Sequence, residues 1–85
     1  MKYLINYDLI NPGQNYDDLI AAIKAYGTWA KISRSCWAIK TSQTAVEIRD
    51  TLKNHLDSND ILFVCDFDNW ASYNLSKEVT DWLKR

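Results

Sequence analysis

The stretch Lys2–Leu9, KYLINYDL, alternates in character along its length and carries an acid near its end. Side chains of an extended chain point to opposite faces in turn, so three apolar side chains share one face: Tyr3, Ile5 and Tyr7. The opposite face ends in Asn6 and Asp8. The pattern predicts a half-buried first strand. Asp8 is then either a turn residue or a carboxylate presented to a ligand, a metal ion or a second copy of the chain.

Size and composition favour one small domain that is rich in aromatic surface. The chain has 85 residues, of which 47 % are hydrophobic, with four Trp, five Tyr and two Phe. A chain of this length buries only roughly 60–65 % of its extended surface on folding. We therefore expect the surplus aromatic residues to form an interface or a ligand-binding surface, and we expect a homodimer or a higher oligomer.

The sequence carries no sign of a membrane segment or a leader. No stretch has the roughly 18 consecutive apolar residues that span a bilayer, and no basic segment precedes a long apolar one at the start of the chain. We therefore expect an unprocessed, soluble, cytoplasmic protein without a membrane partner. Cys36 and Cys65 lie inside predicted strands, which favours buried, reduced thiols. His55 fits the last turn of a helix, where a cation complements the helix dipole.

Charge is distributed unevenly, although the net charge is only −1. From Leu19 to Val46 the chain has no acid and four bases: Lys24, Lys31, Arg34 and Lys40. From Asn54 to Ser76 it has no Lys or Arg and four acids: Asp57, Asp60, Asp66 and Asp68. This asymmetry predicts a positive surface for an anion or complementary faces that dock copies of the chain, unless the charges are merely those of solvated loops.

Periodicity and turn signals predict three helices and four strands. The helices follow from apolar residues at helical spacing and from capping signals such as Thr44 with Glu47: Tyr16–Tyr26, Ala45–Leu56 and Ser76–Lys84. The strands follow from β-branched, aromatic and apolar runs: Lys2–Leu9, Thr28–Ile32, Ser35–Thr41 and Ile61–Phe67. Pro12 with Gly13 predicts a loop, Asn15 an N-cap, and Gly27 the end of the first helix.

This element order predicts a single α+β domain, residues 1–85, with the ferredoxin-like arrangement βαββαβ and a short C-terminal helix. Two right-handed crossovers lay both crossover helices on one face of an antiparallel sheet ordered 4-1-3-2. The other sheet face is then open. In this order the strands that carry Cys36 and Cys65 are separated by the first strand, so the two residues lie roughly 9–10 Å apart, beyond disulfide reach.

The chain resembles the small CRISPR-associated ferredoxin-like nuclease subunit and its SinR-like relatives. The resemblance covers Lys2–Phe67 and rests on a few short features: Tyr7-Asp8 at the end of the opening strand, Ser35-Cys36-Trp37, and Asp60 before the last core strand. It implies a homodimer formed through the open sheet faces. It also implies a nuclease that uses Mg²⁺ or Mn²⁺, with Asp8 as the metal-binding carboxylate, paired with its mate across the dimer.

The sequence departs from that family where nucleic acid would bind. Family members place Arg residues soon after the Tyr-Asp pair, whereas this chain continues with Ile10–Asn15 and has no base between Asp8 and Lys24. A nucleic-acid groove would therefore be thinly charged. Two-metal hydrolysis needs several convergent carboxylates, and the pattern places only Asp8.

Trp29 beside Lys31, in an acid-free hairpin, has the chemistry of a nucleotide clamp. Aromatic faces stack on bases and ammonium groups hold phosphate, although Trp and Tyr residues are also typical of a core. We predict that a ligand-binding surface draws on seven residues: Asn6, Asp8, Trp29, Lys31, Arg34, Trp37 and Lys40.

Three functions fit these features. The first, which we favour, is a non-catalytic homo-oligomer that binds a nucleotide-type or other anionic small molecule without a cofactor; a viral anti-defence sponge for a cyclic nucleotide signal would be one instance. The second is a divalent-metal-dependent nuclease that uses Asp8 and binds nucleic acid. The third is a protein-binding module of a defence or toxin–antitoxin system.

Overall fold

A computed structural model describes residues 1–10 and 16–85. Its helices and strands follow one another along the chain as β1 Lys2–Asp8, α1 Asp17–Lys24, β2 Trp29–Ser33, β3 Cys36–Lys40, α2 Ala45–Leu52, β4 Ile61–Asp66 and α3 Lys77–Lys84. The predicted second helix is too long, because α2 ends at Leu52 and a 3₁₀ turn, Lys53–His55, follows it. The predicted Pro12-Gly13 loop and the Asn15 cap lie outside the described residues.

The four strands form one antiparallel sheet in the order β2-β3-β1-β4, which reads β4-β1-β3-β2 from the other edge. β1 pairs with both β3 and β4, so the opening strand is central in the sheet. Four antiparallel strands with three helices make an α+β domain that is broadly ferredoxin-like. Within the described part of the chain, no helix is long and apolar enough to cross a membrane.

The main core lies between the sheet and the first two helices. The alternating face of β1 supplies Tyr3, Ile5 and Tyr7, all nearly inaccessible to solvent. The remaining buried members come from β3, α1 and α2: Leu19, Ile23, Trp37, Ile39, Ile48 and Leu52. The helical spacing of the α1 and α2 members and the strand spacing of the others are the periodicities that the sequence predicted.

Local capping signals set where α2 and α3 begin. Thr44 Oγ1 accepts from the Glu47 amide at 3.2 Å while Glu47 Oε1 accepts from the Thr44 amide at 3.0 Å. The Ser76 hydroxyl accepts from the Val79 amide at 3.3 Å. Each cap satisfies amides that the first helical turn leaves unpaired, and both predicted caps are confirmed.

The second sheet face is not open along its whole width, which corrects the prediction. α3 packs on it and forms a smaller core from Ala30, Ala38, Trp82 and Leu83. Ala30 and Ala38 are small, so they leave room for the Trp82 indole to lie close to β2 and β3. The face that the resemblance assigned to dimerisation is therefore partly covered by the chain's own last helix.

Both cysteines are free thiols, as predicted, but they are half-buried rather than buried. Cys36 on β3 lies opposite Asn6, and Cys65 on β4 lies opposite Leu4. β1 therefore separates the two thiols. Partial burial, and secondarily the neighbouring Cys65, raises the pKa of the Cys36 thiol.

Gly27 ends α1 in a backbone conformation that disfavours other residues. Its φ is +84°, and apart from Gly27 itself and its two chain neighbours, no described atom lies within 4 Å of the position a Cβ would take. We expect Gly27→Ala to lower the free energy of unfolding by about 1 kcal/mol, because the left-handed conformation alone is strained. Urea unfolding measures the loss. Gly27→Asn is the matched control and should lose less, since Asn tolerates this region; an unchanged midpoint for the alanine variant would contradict the assignment.

Candidate binding site at the β2 edge

Two indole rings lie in contact near one edge of the sheet. Trp29 on β2 pairs with Ile39 and Lys31 pairs with Trp37, so all four side chains face the α1–α2 side. The ring centroids of Trp29 and Trp37 are 5.4 Å apart and the rings are tilted by 59°. Trp37 is 2 % exposed whereas Trp29 is 38 % exposed. The buried indole thus supports a second indole that solvent can reach.

Trp37 is held in place by a buried hydrogen bond. Its Nε1–H donates to the Tyr7 hydroxyl at 3.0 Å, and that hydroxyl in turn lies 3.5 Å from the carbonyl oxygen of Arg34. These two contacts thus link β1, β3 and the β2–β3 turn. The fixed Trp37 indole in turn limits the movement of the Trp29 ring that packs on it.

Two ammonium groups flank the indole pair. Lys24, in the last turn of α1, places Nζ 5.1 Å from the Trp29 ring centroid and 5.9 Å from that of Trp37. Lys31 places Nζ 5.4 Å from the Trp37 centroid. Among the described residues, neither ammonium takes part in a salt bridge. Their charge is therefore available to an anion at the Trp29 surface.

The β2 edge also offers backbone donors. The Lys40 amide donates to the Thr28 carbonyl at 3.1 Å, so these two residues form a hydrogen-bonded pair of the antiparallel ladder. Such pairs alternate along the strands, which turns the amides of Trp29 and Lys31 away from β3. Both amides point outward beside the Lys31 side chain.

A hollow of about 450 Å³ opens between this edge and α3. It is lined by Trp29, Ala30, Lys31, Glu78, Val79, Trp82 and Arg85. Its volume falls in the range of small-molecule sites, and it combines indole surface with two basic residues. Among the described residues that line it, Glu78 is the one acidic side chain. The hollow lies on the α3 side of the β2 edge, whereas the side chains of Trp29, Lys24 and Lys31 lie on the α1–α2 side. The two sides of this edge together are called the β2-edge site.

The structure does not bring all the predicted basic residues to this site. Lys40 lies on the opposite sheet face, where Nζ donates to the Arg85 carbonyl at 2.8 Å and sits 4.7 Å from the Trp82 ring centroid. Arg34 lies in the β2–β3 turn. Lys24 was absent from the predicted site, although the acid-free segment that contains it was the signal that could have found it.

Lys40 instead serves the attachment of α3. Together with Lys2, whose Nζ donates to the Leu83 carbonyl at 2.7 Å, it satisfies carbonyls at the C-terminal end of the helix. A hollow of about 570 Å³ lies beside these lysines, but Asp66 and Asp68 also line it. Two acids, and two lysines that already donate to α3 carbonyls, therefore line this hollow.

Asn6 and Asp8 lie apart from the β2-edge site. Both are exposed on the sheet face opposite Tyr7, and they pair with Phe63 and Ile61 of β4. Across residues 1–10 and 16–85, no group of three or more His, Cys, Asp or Glu side chains is arranged to hold a metal ion. The structure therefore places Asp8 at the end of β1 without a cluster of acids around it.

Comparison of the sequence with protein-family models and with curated proteins gives no match to either.

Proposed function

We propose that the protein is a non-catalytic, homo-oligomeric binding protein for a nucleotide-type or other anionic small molecule, held at the β2-edge site. The observation that carries the proposal is the solvent-accessible Trp29 indole, backed by the fixed Trp37 and flanked by the Lys24 and Lys31 ammonium groups. Sequestration of a cyclic nucleotide signal, as a viral anti-defence sponge performs it, is one form of this function.

The chemistry of the site matches the two halves of a nucleotide. A base that stacks on an aromatic side chain gains about 1–3 kcal/mol, whatever its sequence identity. Phosphate gains charge-assisted hydrogen bonds from Lys24 and Lys31, and the outward amides of β2 add neutral donors. The ligand class follows from this pairing of a ring surface with positive charge.

Binding is favoured over hydrolysis because residues 1–10 and 16–85 contain no convergent group of three or more acidic or metal-ligating side chains. Phosphodiester hydrolysis by two metal ions needs several carboxylates within a few ångströms of each other. Asp8 lies on the opposite sheet face from Trp29 and Lys31, so it does not contribute to the β2-edge site.

The double variant Lys24→Gln/Lys31→Gln tests the site. We expect it to weaken binding of ATP, AMP or cyclic AMP at least about tenfold, because two charge-assisted contacts are lost. Titration followed by Trp fluorescence and calorimetry gives the affinities. Arg49→Gln/Lys53→Gln removes two exposed bases elsewhere and should leave them unchanged. Glu78→Gln should tighten binding by removing the one acid of the hollow.

Three results would contradict the proposal. Cleavage of RNA or DNA that requires magnesium or manganese, present in the wild type and lost in Asp8→Asn, would establish the nuclease. Equal nucleotide affinity in the Lys24→Gln/Lys31→Gln variant and the wild type would remove the β2 edge from the site. Failure of all three nucleotides and of inorganic phosphate to bind would favour a protein-binding module instead.

A further inference from the structure

The opposite edge of the sheet exposes apolar side chains and strand backbone that no other strand of the described residues pairs with. β4 is the edge strand there, and its Ile61 and Phe63 side chains are each 58 % exposed. Val46, on the neighbouring α2, is 55 % exposed and lines a shallow hollow of about 250 Å³ with Phe63. Large exposed apolar side chains beside a free strand edge are features of an association surface.

The hydrogen bonds of β4 show which backbone groups are free to pair. The Phe67 amide donates to the Lys2 carbonyl at 3.1 Å, and the register of the two strands makes these residues direct partners. Odd-numbered residues of β4 therefore bond to β1, and the amides and carbonyls of Leu62 and Val64 point outward. A partner strand along this edge would bond to those two residues.

We propose that β4 pairs antiparallel with β4 of a second copy of the chain, about a two-fold axis at Phe63, so that the two sheets continue into one. This register places Leu62 of one copy opposite Val64 of the other, which matches the outward backbone groups. Phe63 meets its own mate, and Ile61 lies opposite Cys65. Every one of these facing pairs is apolar on both sides of the sheet.

That self-complementarity is the reason for choosing a second copy as the occupant. The segment ILFVC reads as apolar in both directions from Phe63, so two identical strands match without an apolar side chain facing a polar one. The two exposed aromatic rings at position 63 cover each other. The Val46 side chains of the two α2 helices flank the same axis.

Like charges face each other at the ends of the paired strands, and they weaken the proposed dimer. Asp60 of one copy lies opposite Asp66 of the other, and like charges facing across a strand pair repel. Screening by salt weakens that repulsion. The dimer should therefore tighten as the salt concentration rises, and it should also tighten in the variant Asp66→Asn.

The proposed dimer separates the two Asp8 carboxylates. Asp8 pairs with Ile61, so the two copies of Asp8 are offset by four residues along the strands and three strand spacings across them, roughly 20 Å. A metal site shared between them is incompatible with that distance. The two β2-edge sites lie at the far ends of the joined sheet and stay accessible.

The proposal refines the self-association part of the proposed function, and it is tested without nucleotide, so either can fail alone. In a Cys36→Ser/Cys65→Ser background, Phe63→Cys should form a disulfide-linked dimer on mild oxidation. Facing residues that are not hydrogen-bonded have Cα atoms about 4.5 Å apart, within disulfide range. Asp66→Cys in the same background should stay monomeric on a non-reducing gel, since its mate lies roughly 20 Å away.

Sedimentation of the unmodified protein completes the test. We expect a dimer at micromolar concentration that is lost in Phe63→Glu and kept in Tyr73→Glu, which alters another exposed aromatic residue; circular dichroism confirms that both variants fold. The Leu62 and Val64 amides should exchange more slowly with solvent as dimer forms. A monomer at every concentration, a dimer that survives Phe63→Glu, or a partner other than this chain on β4 would overturn the proposal.

Discussion

Replacing Trp37 with alanine is expected to lower the free energy of unfolding by about 3–5 kcal/mol, the range for removing a buried Trp side chain. The residue is 2 % exposed and belongs to the main core. A loss of this size is a large part of the stability of a small domain. Urea denaturation at constant pH measures it.

The Tyr7→Phe variant separates the hydrogen bond from the packing. Removing the Tyr7 hydroxyl leaves the ring in place but deprives the buried Trp37 Nε1–H of its acceptor. An unsatisfied buried donor costs about 1–3 kcal/mol. A Trp37→Ala loss no greater than that of Tyr7→Phe would show that the indole does not support the core as described.

The second large effect is expected at Asp60, whose carboxylate joins three parts of the chain. It accepts from the Ile10 amide at 2.9 Å, from the Asp57 amide at 2.8 Å and from the Tyr16 hydroxyl at 2.9 Å. Desolvation opposes ionisation, but these hydrogen bonds outweigh it and hold the pKa of Asp60 below its ordinary value. The ionised carboxylate therefore holds the segment after β1 and the residue before α1 close to the start of β4.

Asp60→Asn should lower the melting temperature by several degrees at pH 7 and by much less at low pH. Because the folded-state pKa is depressed, the stabilisation is fully present above the unfolded-state pKa, about 3.9, and is lost as pH falls through the folded-state pKa. Calorimetry of both proteins from pH 7 to pH 2 measures the difference. Asp68→Asn, in the loop after β4, is the control and should change little. A wild-type advantage that persists undiminished at pH 2 would contradict this account.

Much of the fold could be predicted from the sequence, because its signals are local. The alternation of Tyr3, Ile5 and Tyr7 predicts a half-buried strand. In the structure, all three side chains lie in the main core. Thr44 with Glu47 marks the start of α2 through bonds that span only three residues. Such patterns determine where helices and strands begin without knowledge of what they pack against.

The covered sheet face could not be predicted, because it depends on how distant residues fit together. Ala30 and Ala38 pack against Trp82 only when β2 and β3 are paired and α3 lies across them. The sequence alone shows two ordinary small residues in a hairpin. Packing of this kind is decided by volume and not by periodicity.

Only part of the candidate site could be predicted, because the rest depends on how distant residues pack. Trp29, Lys31 and Trp37 share a face because they lie on adjacent strands, and that placement follows from the hairpin. Lys24 reaches the same indole pair from α1, and Lys40 is drawn away to the carbonyls of α3. A count of charges along the chain cannot distinguish these two lysines.

The most direct test of the β2-edge site is a two-dimensional NMR titration of the isotope-labelled protein with ATP. The four Trp residues give four indole N–H signals, which single Trp→Phe variants assign. We predict that the Trp29 indole and the backbone amides of Trp29 and Lys31 shift most, with smaller changes at Trp37, while Trp70 is unaffected. Shifts concentrated around Lys2, Asp66 and Asp68, which line the other hollow, or no shifts at millimolar ATP, would contradict the account.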